Sequence, residues 1–195
     1  MRIEITGVLG TGKTTIASLI NQNWTIHEDF DTNPFLPFFY QDTAKYAFET
    51  EFSFLLQHYH QIKKSSLQNQ VCDFALIQDL AYGKMGLDDN RFKIFKRTYQ
   101  IIIEEINYPN LLIYLKCEPQ IILQRIKNRG RQNERNIDVS FIKAIQFYLD
   151  KEIKLLNKGK HSKVIEIDTG ENDFVHNELL RNDFVHKVNS QIIHF

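Results

Sequence analysis

No apolar run in this sequence approaches the roughly 20 residues needed to span a bilayer, so no membrane association is expected. The opening stretch MRIEITGVLG also lacks the basic-then-apolar pattern of a secretion signal. Neither sign of charge is in excess: Lys plus Arg and Asp plus Glu number 24 each. A chain without a global field has no built-in attraction to nucleic acid or an acidic surface, so any anion site must be local. Cysteine is scarce. Cys72 and Cys117 both lie in apolar runs, which excludes a disulfide framework and points to a reducing, cytoplasmic compartment. No stretch rich in Pro, Gly and Ser divides the 195 residues, so residues 1–195 are expected to form one domain around a single core.

What the chain does contain is alternation. Short β-rich runs fall at Arg2 to Thr6, Trp24 to Glu28, Gln70 to Phe74, Asn110 to Cys117 and Lys163 to Thr169. Helical patterns fill residues 35–64 (broken near Gln41 and Asp42), 75–106, 119–128 and 138–158. Strands separated by helices require crossover connections, hence a five-stranded parallel sheet covered on both faces: a three-layer α/β/α fold. Ligands of such sheets sit beyond the carboxyl ends of the strands, which singles out the strand-end acids Glu28 and Asp73. The pentapeptide NDFVH occurs twice, at Asn172 and at Asn182. It reads as a C-terminal helical segment presenting two Phe-Val pairs to the body.

The stretch GVLGTGKTT, Gly7 to Thr15, carries the chemistry. Gly7, Gly12, Lys13 and Thr14 complete the G-x-x-x-x-G-K-[ST] pattern, directly after a strand and at the start of a helix. Glycines let successive N–H groups of Gly7, Val8, Leu9, Gly10, Thr11 and Gly12 turn toward phosphate oxygens. Lys13 places a point charge at the β- and γ-phosphates, and the Thr14 hydroxyl is a ligand for Mg²⁺. The expectation is a site for ATP or another nucleoside triphosphate, in a P-loop NTPase-type fold. The loop alone does not choose the reaction. A GTPase needs a base-reading NKxD-type segment and a glycine after its third strand, and this strand runs VCDFALIQD.

A second feature selects among the remaining classes. Arg125, Arg129, Arg131 and Arg135 fall within eleven residues of RIKNRGRQNERN, with Gly130 supplying a bend. Alone, such a cluster is more often a solvated face or a salt-bridged helix. Beside a complete phosphate loop it reads as a lid over residues 125–136, whose forked guanidinium groups match the charge spread over a phosphoryl group in transfer. Closure over the phosphates also excludes water as a competing acceptor.

With these motifs in place, the chain resembles the deoxyribonucleoside kinase family over nearly its whole length. The segments HEDFDTNPFLPFFYQDTAKYAFETEFSFLLQH and PNLLIYLKCEPQIILQRIKNRGRQNE carry the resemblance. It implies that Glu28 takes the proton from a sugar 5′-hydroxyl and that Asp73 helps hold Mg²⁺ through water. It further implies that Tyr40 and Glu134 grip the 3′-hydroxyl, and that Arg125, Arg129 and Arg131 bind phosphate. Tyr40 beside the 3′-hydroxyl leaves little room for a 2′-hydroxyl, which suits a deoxy sugar.

Two departures from the family pattern stand out. Many members carry an acid-Arg-Ser motif at the end of the third strand, where this chain reads Asp73-Phe74-Ala75. The arginine that would touch the 5′-oxygen is absent, and Phe74 is expected to pack against the substrate in its place. In the base pocket, the usual glutamine is Glu51, the basic residue seven positions later is His58, and the completing acid is Asp79. An ionised Glu51 only accepts hydrogen bonds. It would suit the paired donors of guanine first, then the amine of cytosine, and adenine only if protonated. The phenylalanines at 35, 38, 39, 48, 52 and 54 are expected to be mostly core.

Two other readings remain open at this point. A nucleoside monophosphate kinase needs arginines for the acceptor's own phosphate, yet residues 35–60 contain none. A non-catalytic nucleotide sensor would have no use for a base such as Glu28. The expected partners are a small nucleoside and a nucleoside triphosphate, with no nucleic acid and no membrane. Family members often form homodimers through helices corresponding to residues 42–64 and 88–106.

Overall fold

The computed structural model describes residues 1–172, 174 and 177–192. Five parallel strands, β1 (Arg2–Thr6), β2 (Thr25–Ile26), β3 (Gln70–Cys72), β4 (Leu111–Lys116) and β5 (Lys163–Asp168), lie in the order β2-β3-β1-β4-β5. The register aligns Ile3 with Val71 on one side and Leu111 on the other. Because successive side chains of a strand face opposite ways, each central strand supplies two cores. Ile3, Ile5, Leu111, Ile113 and Leu115 pack with Ile16, Ala17 and Ile20 of α1 (Lys13–Asn21), and with Phe184 and Val188 of α8 (Glu178–Ile192). Leu112 and Tyr114 face the other way, toward α4 (Leu76–Gly86) and α7 (Val139–Lys158).

The remaining helices are α2 (Leu36–Phe39), α3 (Thr43–Lys64), α5 (Asp89–Ile106) and α6 (Pro119–Arg129). The expected break at Gln41 and Asp42 is there because the Asp42 carboxylate caps α3, accepting from the Lys45 N–H at 3.1 Å. Residues 75–106 form two helices rather than one, since Asp88 caps α5 in the same way. β2, β3, β4 and β5 are shorter than the expected runs. β2 stops at Ile26 and β3 at Cys72, because the Asp73 carboxylate takes the Glu28 N–H that would otherwise continue a ladder. Both cysteines are buried and unpaired, and no helix among the described residues is long and apolar enough to cross a membrane.

The repeat resolves differently from expectation. Its second copy lies in α8, while Phe174 of the first sits in a turn before that helix, and Val175 and His176 lie outside the described residues. Phe174 and Phe184 still meet edge to face, 5.4 Å apart, in the α1/α8 core.

Candidate active site at the carboxyl end of the sheet

The loop after β1 takes a course that only glycine permits. Gly7, Gly10 and Gly12 have φ of 151°, 81° and 95°, and a Cβ on Gly7 would lie 2.8 Å from the Leu115 carbonyl oxygen. Gly12 caps α1 without any side-chain hydrogen bond, leaving the helix's first N–H groups free to face an anion. The Thr11 hydroxyl donates to the Val8 carbonyl at 2.7 Å and closes the turn from inside. Lys13 donates to the Gly7 carbonyl at 3.0 Å, so its ammonium bends back across the loop. Burial pushes that ammonium's pKa down, against the pull of Glu28 and Asp73. Thr14 and Thr15 are exposed on the first turn of α1.

A cavity opens beside this loop, lined among others by Lys13, Glu28, Tyr40, Glu51, Gln78 and Asp79. Its apolar walls are Leu9, Phe30, Leu36, Phe39, Phe54 and Tyr82. Glu28 reaches it because β2 ends two residues earlier, whereas Asp29 and Asp31 turn out to solvent. The inward face of α3 supplies the floor. Ala47, Thr50, Glu51, Phe54, Leu55 and His58 recur at helical spacing and are buried, a stripe unusually polar for a core face. Of the six phenylalanines expected to be mostly core, Phe39 and Phe54 line the cavity, Phe48 and Phe52 pack in the core, and Phe35 and Phe38 are exposed.

His58 does not join that lining. Its Nδ1 lies 2.8 Å from Asp79 Oδ2 and its Nε2 lies 3.2 Å from Glu28 Oε1. Phe74 is fully buried and stacks on this imidazole at 4.2 Å, with the rings 10° from parallel. The expectation that Phe74 packs against a substrate is therefore corrected: it backs His58 and lies outside the cavity lining. Burial alone would depress His58, but the Asp79 and Glu28 carboxylates outweigh it and push it up to about 10. Burial would likewise raise Glu28, yet His58, Lys13 and Arg131 hold it below the usual carboxylate range. Among the described residues, Glu51 makes no hydrogen bond to a cation. Burial, with Asp79 nearby, drives it well above that range, against the opposing pull of His58. This environment favours the neutral carboxyl over the ionised Glu51 of the sequence reading.

The lid arginines divide. Arg129 donates to both oxygens of buried Glu134, at 2.7 and 2.6 Å. Arg131 lies 3.5 Å from the same carboxylate and covers the Phe30 ring. Burial raises the Tyr40 hydroxyl, and the Glu134 carboxylate raises it further. Arg125 faces elsewhere. It donates to the Thr169 carbonyl at 2.7 Å and lines a second cavity with Gly10, Thr11, Gly12, Thr15 and residues 169–172. The structure thus gathers Arg129 and Arg131 on Glu134, within electrostatic reach of Lys13 and Glu28, and sets Arg125 across the phosphate loop. Arg135 is exposed.

Sequence reasoning missed Gln78, whose side-chain oxygen is buried without a partner beside the first cavity, and Thr169, which ties Arg125 to the Thr11 carbonyl. The second lay within reach of the strand-end rule, since Thr169 follows β5 directly. The described residues contain no cluster of three metal-ligating side chains. An exposed Thr14 hydroxyl and one carboxylate nevertheless fit Mg²⁺, which keeps several waters and binds largely through phosphates. Asp73 has both oxygens engaged, by the Glu28 N–H and by His27 at 3.0 Å, so its remaining lone pairs suit contact through water.

Comparison with known proteins agrees with this architecture. The chain is 28% identical over 186 residues to the deoxyguanosine kinase of Bacillus subtilis, covering 90% of each. It is 30% identical over 148 residues to the deoxyadenosine kinase of Lactobacillus acidophilus, covering 68% of each. The structure of deoxyadenosine kinase from M. mycoides with bound dCTP superposes with a TM-score of 0.82 at 23% identity, over 97% of this chain and all of that one. The same protein with bound dATP gives 0.80 at 24% identity, over 97% of this chain and 99% of that one. The model of the deoxynucleoside kinase family matches residues 3–194. The chain belongs to that family and is a phosphotransferase acting on a hydroxyl acceptor.

Proposed function

We propose that this protein transfers the γ-phosphoryl group of ATP, or another nucleoside triphosphate, to the 5′-hydroxyl of a deoxynucleoside, with Glu28 as general base. The observation that carries the proposal is Glu28 itself: a carboxylate held ionised, lining a cavity beside Lys13 and the phosphate loop. In this reading Gly7 to Thr15 cradle the donor phosphates, and Lys13 neutralises charge on them. Arg129 and Arg131 leave Glu134 to meet the moving phosphoryl group, and Tyr40 with Glu134 orients the sugar. Arg125 serves the donor from the far side of the loop. Mg²⁺, held by Thr14 and through water by Asp73, supplies charge neutralisation on the phosphates when bound.

The cavity supports an uncharged acceptor, since among the described residues Lys13 is the only cation in its lining. That argues against a nucleoside monophosphate kinase. For the base, a neutral Glu51 offers one donor and one acceptor, as a glutamine does. Both purines can satisfy it. Guanine has a further amine for the unpartnered oxygen of Gln78, whereas adenine leaves that group unpaired at a cost of about 1–3 kcal/mol. Deoxyguanosine is therefore the preferred substrate in this proposal, and cytosine, which like adenine has a single amine, leaves the Gln78 oxygen unpaired in the same way. A homodimer is proposed through α3 and α5, on which Leu56, Ile94 and Ile101 are half-exposed apolar residues. Light scattering on the purified protein tests it.

The functional test is a phosphorylation panel with ATP, Mg²⁺, each of the four deoxynucleosides, guanosine and dGMP. Turnover of deoxyguanosine above the others, with little of guanosine or dGMP, is expected. ATP binding without turnover of any nucleoside would leave a nucleotide sensor.

A further inference from the structure

We propose that His58 is the positioning residue for Glu28, standing in for the arginine that Asp73-Phe74-Ala75 lacks. The inference rests on the reading of Glu28 as base. Its geometry is a chain of two buried groups, Asp79 and His58, ending on the partly exposed Glu28. Asp79 holds one imidazole nitrogen at 2.8 Å, and the other nitrogen takes Glu28 Oε1 at 3.2 Å. A carboxylate with one oxygen so fixed keeps Oε2 for the acceptor's hydroxyl. When phosphoryl transfer proceeds, the 5′-oxygen bonds to phosphorus, the bond to the donor's bridging oxygen breaks, and the hydroxyl proton moves to Glu28. His58 keeps its own proton throughout.

Three observations separate this role from that of a core histidine or a base reader. Both ring nitrogens are spent on carboxylates, so none is left for a nucleobase. The ring is 1% exposed and absent from the cavity lining, though Glu51 and Phe54 before it on α3, and Gln78, Asp79 and Tyr82 on α4, do line it. Phe74 stacks flat on one face of the imidazole, with the Phe54 ring 5.7 Å away. The arginine's replacement is thus the wall that orients the substitute cation. Position 74 and position 58 are one arrangement, in which a cation reaches Glu28 from α3 instead of from the end of β3.

Steady-state kinetics of His58→Gln, Glu28→Gln and the double variant, with thermal melting of each, test the proposal. His58→Gln is expected to lower kcat about 10- to 100-fold, the scale of a misplaced reacting group, with KM for the deoxynucleoside within about threefold. In the Glu28→Gln background the same change should have no further effect on kcat. A raised KM or altered base ranking with kcat intact would make His58 a base reader and overturn the proposal. So would an undiminished effect in the Glu28→Gln background. If Glu28→Gln alone retains turnover, the reading of Glu28 as base fails first, which is a separate result. Should His58→Gln fail to fold, ¹⁵N spectra of the imidazole in wild type and Glu28→Gln decide. A shift of Nε2 supports the contact, and an unchanged resonance overturns it.

Discussion

Raising the pH through 10 should dismantle the Asp79–His58–Glu28 chain, and the effect can be sized. His58 rises from an ordinary 6.5 to about 10 in the folded protein. A group raised on folding contributes stability that is fully present below its unfolded pKa and lost as pH rises through its folded one. The window is therefore about pH 6.5 to 10. At 1.36 kcal/mol per unit, this difference corresponds to about 5 kcal/mol. That agrees with the roughly 3–5 kcal/mol expected when one member of a buried ion pair is removed. The charged and titratable neighbours are Asp79, Glu28 and Glu51, and they are common to wild type and His58→Gln. Urea denaturation of both proteins at intervals from pH 6 to 10.5 isolates the histidine. Wild type should be more stable by about 3–5 kcal/mol near pH 7, and the gap should close toward pH 10 by up to about 1.4 kcal/mol per unit. A gap that stays constant across the range would refute the argument.

Other perturbations probe different parts of the site. Gly7→Ala forces a Cβ to within 2.8 Å of the Leu115 carbonyl oxygen at a φ of 151°. Strain and overpacking together should cost about 2–5 kcal/mol by denaturation, and titration calorimetry should show nucleotide binding abolished. Glu51→Gln should keep the order of base preference at pH 7, because burial already favours the neutral side chain. Glu51, raised on folding, loses its contribution as pH rises from the usual 4.5 toward its folded value, so the variant should gain in melting temperature on wild type across that rise. Glu134→Ala releases Arg129 from its bidentate pair. With Arg129 a third exposed, about 1–2 kcal/mol should be lost, and KM for ATP should rise several-fold in the kinase assay.

Much of this was readable in the chain because periodicity and glycine chemistry are local. The parallel sheet follows from alternation, and Gly7 to Thr14 announce themselves through a spacing that backbone geometry demands. Glu28, Tyr40, Glu51 and Asp79 were each expected at a substrate site, and all four line one cavity. What escaped was set by side chains meeting across the fold. Nothing in the spacing of His58, Asp79 and Glu28 says that the histidine faces the carboxylates rather than a base. The charge state of Glu51 depends on burial and on Asp79, 28 residues away, so an isolated reading misses the push toward the neutral form. Arg125 shares a helix face with Arg129, but its hydrogen bonds to Thr169 hold it at another cavity. Gln78 carries no motif at all. It matters because its oxygen is buried without a partner.

The central claim is that Glu28 removes the proton from the acceptor hydroxyl. Rapid-quench single-turnover measurement with Glu28→Gln, ATP, Mg²⁺ and deoxyguanosine tests it most directly. The account predicts a chemical step slowed about 10²- to 10⁴-fold, with Kd for ATP and for the deoxynucleoside within about threefold of wild type. A step within about threefold of wild type would contradict it and move the base elsewhere.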